Sequence, residues 1–543
     1  MALSREAYRA LEDIVGSKYI SEEPAILDSY SFQWLSETIQ PNQSKFMPRA
    51  EAVILPASTR DVQAIVKACN KYKIKIKPTT TGWYFYNAPL SEGVLQIDLR
   101  RMDRILDIDE KNMIAVVEPY VVAGVLQAEA MKVGLNITIT GAGASCSTLV
   151  GATSYFGGGG SAIFCGELKE DLLAAEWVLP NGELLKTGSY SGDKGWFCAE
   201  GPGPGTRGLV RGTFGARGGL GIFTKCSVKL APWPGPTQFP VSGTVPAYRS
   251  EMPKNFRAFT LCFPDWESYF EAYYKIYDNE IGYFAHRQWS MLGTVVGPAF
   301  WQLYQDPTKS LDHLEEFVNK PEVKELADDT KRSFQLVLVG MTPRDIEHQD
   351  KVLDLILAQT KGWKSKKWLE PEMEQFALLF LLRLGRKNLN FVYNGGWVGN
   401  FMQGGAPDFI AKYRQLAEDS TAPFQKNGLL VDCGSDSMMG TVGSLNGGGN
   451  GGLEQFGFYD VADKQSTQAV IDWMEFCLKE CAKNGLPPGK EGMYRAVGRP
   501  YDIFQADLAK ATTIHTWQRK IKEIVDHNNL CDRMYPTLDE KKP

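Results

Sequence analysis

Apolar positions along the chain fall into short runs and helical spacings, most clearly between residues 48 and 133. Ala52-Val53-Ile54-Leu55, closed by Pro56, reads as a strand. Val62, Ile65, Val66 and Cys69 follow i, i+3, i+4, i+7 spacing behind Ser58 and Thr59, either of which can cap a helix. Ile74-Lys75-Ile76 is the next strand, with further strands at Val94 to Leu99 and Ile114 to Val117, and Gly134 stops a helix from about Val122. The first strand, helix, strand unit delivers the chain into Pro78-Thr79-Thr80-Thr81-Gly82, the kind of loop on which such folds place a ligand. These elements predict an α+β domain.

Residues 1–46 ahead of it read as a polar N-terminal helical arm. Between Gly141 and Gly221 glycine becomes dense, in Gly141-Ala142-Gly143, Gly157 to Gly160, Gly201 to Gly205 and Gly215 to Gly221. Glycine weakens regular elements, so this density marks unusual backbone conformations or close approach to another group. After Pro232-Trp233-Pro234-Gly235-Pro236 the chain turns aromatic-rich, with alternating strand and helix patterns to about residue 480, then a helix from Ile514 to Val525. The expected division is 1–46, 47–235, 236–480 and 481–543.

Composition excludes several classes. Of the 543 residues 43% are hydrophobic and 23% charged, the profile of a folded globular protein, and the net charge of −5 gives no reason to expect nucleic acid as a partner. No apolar run approaches the roughly 18–20 residues that span a bilayer. Met1-Ala2-Leu3-Ser4-Arg5-Glu6 carries charge where a secretory signal needs apolar residues, and the ten cysteines include no CxxC pair, so a cytoplasmic protein without disulfides or bound metal is expected. Cys477 and Cys481 share a helical face and read as packing. Gly203 to Gly208 and Gly447 to Gly452 both satisfy GxGxxG, but neither follows an apolar strand and opens a periodic helix, so a nicotinamide fingerprint is rejected.

A set of segments in fixed order carries the functional reading. These are Lys77-Pro78-Thr79-Thr80-Thr81-Gly82-Trp83-Tyr84; Val94 to Ile105; Val116-Val117-Glu118-Pro119; Leu149-Val150-Gly151-Ala152 through Gly160; Ala175 to Gly188; Gly218 to Lys225; and Lys520 to Leu530. Together they resemble the FAD-binding domain of the vanillyl-alcohol oxidase and p-cresol methylhydroxylase (PCMH) superfamily, which also holds FAD-linked glycolate and D-lactate dehydrogenases. The resemblance is continuous over about residues 47–235, thinner through the middle, and returns after about 485. It implies a two-lobed PCMH-type FAD-binding domain, an antiparallel-sheet cap with flanking helices over the flavin ring, and a C-terminal segment returning to the FAD domain.

By the same resemblance Pro78, Thr79, Thr80, Thr81, Gly82 and Trp83 form the first cofactor loop, Val150, Gly151 and Gly160 belong to the second, Gly221 and Ile222 to the third motif, and Gly141, Gly143 and Gly166 are further cofactor-binding positions. The first loop departs from the family in its threonines and in Trp83-Tyr84-Phe85-Tyr86, and Tyr120 stands where relatives carry glycine. None of the histidines His286, His313, His348, His515 and His527 lies in residues 47–235, so FAD is expected without a histidyl link from that domain, with Cys146 as the alternative covalent position.

A flavin supplies the hydride chemistry, and the protein must place the substrate and manage charge. Tyr494 and Arg495 resemble the pair that grips a phenolate in the phenol oxidases, where a guanidinium favours the anionic oxygen. Glu167 falls at the position of their catalytic aspartate; the alternative is a solvated turn formed by Glu167, Lys169, Glu170 and Asp171. The expected activity is hydride transfer from a hydroxylated, aromatic small molecule to flavin N5. A 2-hydroxy-acid dehydrogenase is the alternative, although Gly447 to Phe456 lacks the histidines of the metal-assisted version. A non-catalytic FAD subunit of an electron-transfer complex is the other. The electron acceptor, a redox protein among the options, and homo-oligomerisation stay open.

Overall fold

A computed structural model describes residues 3–38, 43–82, 87–139, 144–154, 159–192, 195–198, 205–210, 216, 219–242, 249–287, 308, 316, 319–365, 378, 395–405, 407–430, 438–442, 451–484 and 514–532.

The first lobe is built on a sheet of β1 (Ile20–Ser21), β2 (Ala52–Ile54), β3 (Lys75–Thr79) and β4 (Val94–Asp98), in the order β1-β2-β4-β3. β4 is central and parallel to both β2 and β3, and all five of its residues are buried. The crossover helix Thr59–Tyr72 starts where Ser58 Oγ accepts from Asp61 N at 3.1 Å and ends at left-handed Lys73. It buries Val62, Ile65, Val66 and Cys69, the positions set by the helical spacing, and each such aliphatic side chain contributes roughly 1.5–3 kcal/mol.

The N-terminal arm is helical but does not stand apart. The amphipathic helix Arg5–Val15 buries Ala7 and Leu11 in the same core, and β1 pairs antiparallel with β2. A polar sequence concealed this because only one stripe of the helix is apolar.

The second lobe is an antiparallel sheet of β5 (Ile105–Asp109), β6 (Ile114–Val117), β8 (Leu172–Val178), β9 (Leu184–Lys186) and β10 (Ile222–Lys229), in the order β5-β6-β10-β8-β9. Its core gathers the helix Ala123–Lys132, stopped at Gly134 with φ +75°, around Trp177, which stacks on Phe223 at 5.1 Å and donates to Leu220 O at 2.8 Å. Short pairs of β7 (Leu135–Asn136) with β11 (Ala231–Pro232), and β12 (Val241–Ser242) with β13 (Arg249–Ser250), lead out of this lobe.

The cap sheet holds β14 (Phe256–Cys262), β15 (Phe284–Arg287), β16 (Ser333–Val339), β17 (Trp363–Lys364), β18 (Gly395–Gly405), β19 (Met438–Val442) and β20 (Gly451–Asp460), in the order β17-β14-β16-β15-β19-β20-β18. Every pairing is antiparallel. Leu261, Phe334, Leu336 and Leu338 share a core with the helices Trp266–Asp278 and Pro343–Gln359; Phe256, Phe284, Val337 and Val339 join Met131, Cys165, Ala231 and Trp233 of the second lobe. Of the described cap aromatics, Phe263, Tyr269, Phe270, Tyr273 and Phe334 are therefore core. Cys477 is buried in the helix Lys464–Lys483.

The helix Ile514–Val525 packs Ile521 and Val525 on the second lobe, and Cys531 forms a parallel bridge with Ile76 of β3. Among the described residues no helix is long and apolar enough to cross a membrane.

Candidate cofactor and active site

Pro78 and Thr79 close β3, and Thr80, Thr81 and left-handed Gly82 follow in the loop to β4. With Tyr30, Phe32, Trp34, Asn87, Asp98, Arg100 and Tyr120, residues Thr79 to Gly82 line a cavity of about 350 Å³. Asp98 anchors its wall: the buried carboxylate accepts from Tyr30 Oη at 2.5 Å, Arg100 Nε at 2.7 Å and Arg100 N at 2.8 Å. Burial, then the bond to Asp98, pushes the Tyr30 phenol well above its ordinary pKa. Asp98 and Arg100 lie in the Val94–Ile105 segment without a site role read from it, and Tyr30, 68 residues before Asp98, has no motif joining it to them. Trp83, Gly141 and Gly143 lie outside the described residues.

The second loop rests on the helix Thr148–Thr153, whose cap Ser147 accepts from Val150 N at 3.1 Å and whose Gly151 is buried. The segment leading into it runs along Val121 to Gly124, with Ala123 N donating to Cys146 O at 2.8 Å and Thr148 N to Val121 O at 2.9 Å. Cys146 is buried. At Gly159 a Cβ would overlap the Ile139 carbonyl, and at Gly160 one would overlap the Phe284 ring. The Gly160 carbonyl also accepts from Ala285 N at 2.8 Å, so the second loop is fastened to cap strand β15. His286 shares Phe284's face of that strand, buried, with the rings 6.0 Å apart; a lone histidine in a strand offers no spacing signal.

Gly166 has φ +85°, and its carbonyl accepts from Thr138 Oγ1 at 2.6 Å. Glu167 follows, 2% exposed, and Asp171 is 6% exposed, so the solvated-turn reading of this stretch is corrected. The short helix Leu168–Asp171 turns both carboxyls inward. Burial raises the Asp171 carboxyl well above its ordinary pKa; the charges of Glu170 and Glu167 add to this and Lys229 opposes it. Burial also raises the cap's Tyr273 phenol, and Glu167 adds to that rise. Just before Glu167, Ile163 packs into the cap core and Phe164 stacks on Tyr283 at 4.5 Å, so Glu167 sits at the junction of FAD domain and cap. Cys165 beside it, 3.8 Å from Tyr283 Oη, is a buried thiol pushed up to about 12.

Gly221, with φ +106°, is placed so that a Cβ would overlap the Val178 carbonyl, and buried Ile222 pairs with Val178. The second loop reaches this motif through Ala216 N, which donates to Thr153 O at 3.2 Å. Tyr494, Arg495, Gly201 and Gly203 lie outside the described residues, as does Arg217.

This arrangement fits a dinucleotide flavin. Buried Thr148 Oγ1 has no hydrogen-bond partner among the described residues, and Gly159 and Gly221 bring backbone against backbone where any side chain would intrude. Thr79 to Gly82, Thr148 to Ser154, Gly159, Gly160 and Gly219 to Ile222 are the described residues that would hold it.

Residues 50–188 match the FAD binding domain family. The glycolate oxidase subunit of Bacillus subtilis is 30% identical over 194 residues, covering 35% of this chain and 39% of that one. The flavoprotein subunit of 4-cresol dehydrogenase from Pseudomonas putida is 28% identical over 239 residues, 40% of this chain and 43% of its own. These relatives are thus matched over about two fifths of their length. Substrate-bound p-cresol methylhydroxylase superposes with a TM-score of 0.72 at 17% identity, covering 98% of this chain and 96% of that one. The 4-ethylphenol oxidase of Gulosibacter chungangensis gives 0.69 at 17% identity, covering 99% and 98%. Residues 50–188 are an FAD-binding domain, and the whole chain has the fold of p-cresol methylhydroxylase.

Proposed function

We propose that the chain is an FAD-dependent oxidoreductase that oxidises a hydroxylated aromatic substrate, a phenol or a benzylic alcohol. The observation that carries this reading is Glu167, a buried carboxyl at the junction of the second cofactor loop and the cap. Bound FAD supplies the acceptor for a hydride, two electrons and a proton leaving the benzylic carbon. Glu167 would balance positive charge left on that carbon or take a proton from it. Tyr494 and Arg495, by family resemblance, would hold the phenol oxygen as an anion and so raise electron density where the hydride departs. In sequence, the flavoprotein subunit of 4-cresol dehydrogenase is matched over 40% of this chain, the glycolate oxidase subunit over 35% and D-lactate dehydrogenase over 34%.

The test is anaerobic titration of the FAD-loaded protein with 4-alkylphenols, vanillyl-type alcohols, D-lactate and glycolate. Bleaching of the flavin band by the phenols or benzylic alcohols supports the reading. Bleaching by the hydroxy acids alone selects the alternative, and bleaching by none selects an electron-transfer subunit. With the phenolic substrate in hand, Arg495→Ala is expected to lower turnover roughly 100-fold or more with the FAD absorbance retained; unchanged turnover would remove Arg495 from the site.

A further inference from the structure

The C-terminal segment grips both ends of the first cofactor loop. Entering the loop, Ile76 N donates to Leu530 O at 2.9 Å, Asp532 N donates to Ile76 O at 2.8 Å, and Lys77 Nζ lies 3.6 Å from Asp532 Oδ2. On the far side, Leu90 N donates to Asp532 Oδ2 at 2.8 Å and Ser91 Oγ to Asp532 Oδ1 at 2.6 Å. Asp532 thus bridges both stems of the loop carrying Pro78 to Gly82, its carboxylate accepting from Leu90 and Ser91 on one and facing Lys77 across an ion-pair distance on the other, where its backbone N–H donates to Ile76.

The same segment reaches the third cofactor motif. Lys522 Nζ donates to Gly219 O at 3.2 Å, to Cys531 O at 3.2 Å and to Asp526 Oδ2 at 2.6 Å. Asp526 in turn accepts from Leu530 N at 2.8 Å and Cys531 N at 2.9 Å, which tightens the turn that presents Asp532. Lys77, Lys522, Asp526 and Asp532 are all buried, and their charges cancel, the condition under which such a network can persist away from water.

We propose that Asp532 is a positioning residue for FAD: through it residues 522–532 act as a strap fixing the first cofactor loop relative to the third motif. Asp532 acts on the loop stems, not on the cofactor. A loop already pinned at both stems loses less freedom when it closes on a ligand, so affinity rises with no added contact. The inference rests on the FAD-binding domain and is independent of the substrate, so its failure would leave the substrate titration untouched.

The test compares Asp532→Asn, Ser91→Ala and the control Asn528→Ala, whose amide bonds Asn70 at 3.0 Å on the exposed side of the same segment. FAD-loaded protein is diluted and the fluorescence of released flavin followed; melting midpoints are recorded with and without added FAD. The expected result is FAD release faster by about tenfold in Asp532→Asn, corresponding to about 1.4 kcal/mol. Ser91→Ala should shift in the same direction by less, Asn528→Ala not at all, and the FAD-induced rise in melting midpoint should shrink in the same order. Unchanged release in Asp532→Asn and Ser91→Ala, equal acceleration in all three, or a lower FAD-free midpoint with the FAD-induced rise intact would overturn the proposal. If Asp532→Asn does not fold, Ser91→Ala decides by the same criteria.

Discussion

At two glycines of the FAD lobes backbone approaches backbone, and at two glycines of the cap backbone approaches side chain. Gly159 lies against the Ile139 carbonyl and Gly221 against the Val178 carbonyl, whereas Gly362 in the cap faces the Phe263 and Leu357 side chains and Gly457 faces the Trp473 ring. A carbonyl fixed in a sheet or loop cannot step aside; a side chain can repack at modest cost. The lobes must therefore keep particular residues at particular positions, while the cap needs only apolar alternation and enough aromatic volume.

The largest effect that tests this contrast is at Gly159. Gly159→Ala is expected to abolish stable FAD binding and lower the melting midpoint by roughly 10 °C or more, as a steric clash of several kcal/mol would. Gly457→Ala should cost no more than about 1–3 kcal/mol, the overpacking range, with the flavin spectrum intact. Equal losses in the two variants, read by visible absorbance and thermal melting, would break the contrast.

A second pair of variants sharpens it electrostatically within the lobes. Glu176 is buried in β8, yet bonds from Thr59 Oγ1 at 2.5 Å, Lys225 Nζ at 2.9 Å and Thr224 Oγ1 at 2.9 Å outweigh the burial that would raise it, leaving its pKa below the ordinary value. A lowered folded pKa gives stability that is present above the unfolded pKa near 4.5 and lost as pH falls through the folded value. Because Thr59 is the first residue of the lobe-one helix and Glu176 lies in the second lobe, this pair joins the two lobes. Glu176→Gln should flatten the acid limb of the melting curve and lower stability at pH 7. Asp171 has the opposite sign: burial raises its folded pKa, so stability is lost as pH rises from the unfolded value of 3.8 through the folded one. Asp171→Asn should raise the melting midpoint at pH 7 by a few degrees and leave it nearly unchanged at pH 3. Melting from pH 3 to 8 checks both, and shifts of the same sign would remove the electrostatic account.

What the chain discloses before folding follows the same contrast. The helix over Thr59–Tyr72 is legible because its cap, its apolar spacing and its end are all local. The second loop and third motif are legible because close approach demands glycine, which no other residue replaces. Glu167 is found only by position within that frame; its burial depends on Gly166 turning the chain at positive φ and on the cap covering it. Asp98 with Tyr30, and Asp532 with Ser91, are invisible because their partners are 68 and 441 residues away and the residue types are common. The cap's strand order is likewise hidden: antiparallel strands of similar apolar alternation can pair in many orders until the chain is folded.

The smallest effect lies on the cap's outer edge. There Lys364 is paired within the fold: its Nζ lies 2.6 Å from Asp350 and 2.8 Å from Asp354, both on the helix Pro343–Gln359. Partial burial would lower its pKa, and these two carboxylates outweigh that and raise it. A half-exposed pair of this kind is screened by salt and costs side-chain entropy to hold, so Lys364→Ala should change stability by under about 1 kcal/mol, with the difference shrinking as ionic strength rises. A loss of several degrees in melting midpoint would mean that the edge strand β17, held to β14 at Leu261 and Cys262, depends on this contact. The cap would then share the dependence on single polar contacts that marks the cofactor lobes.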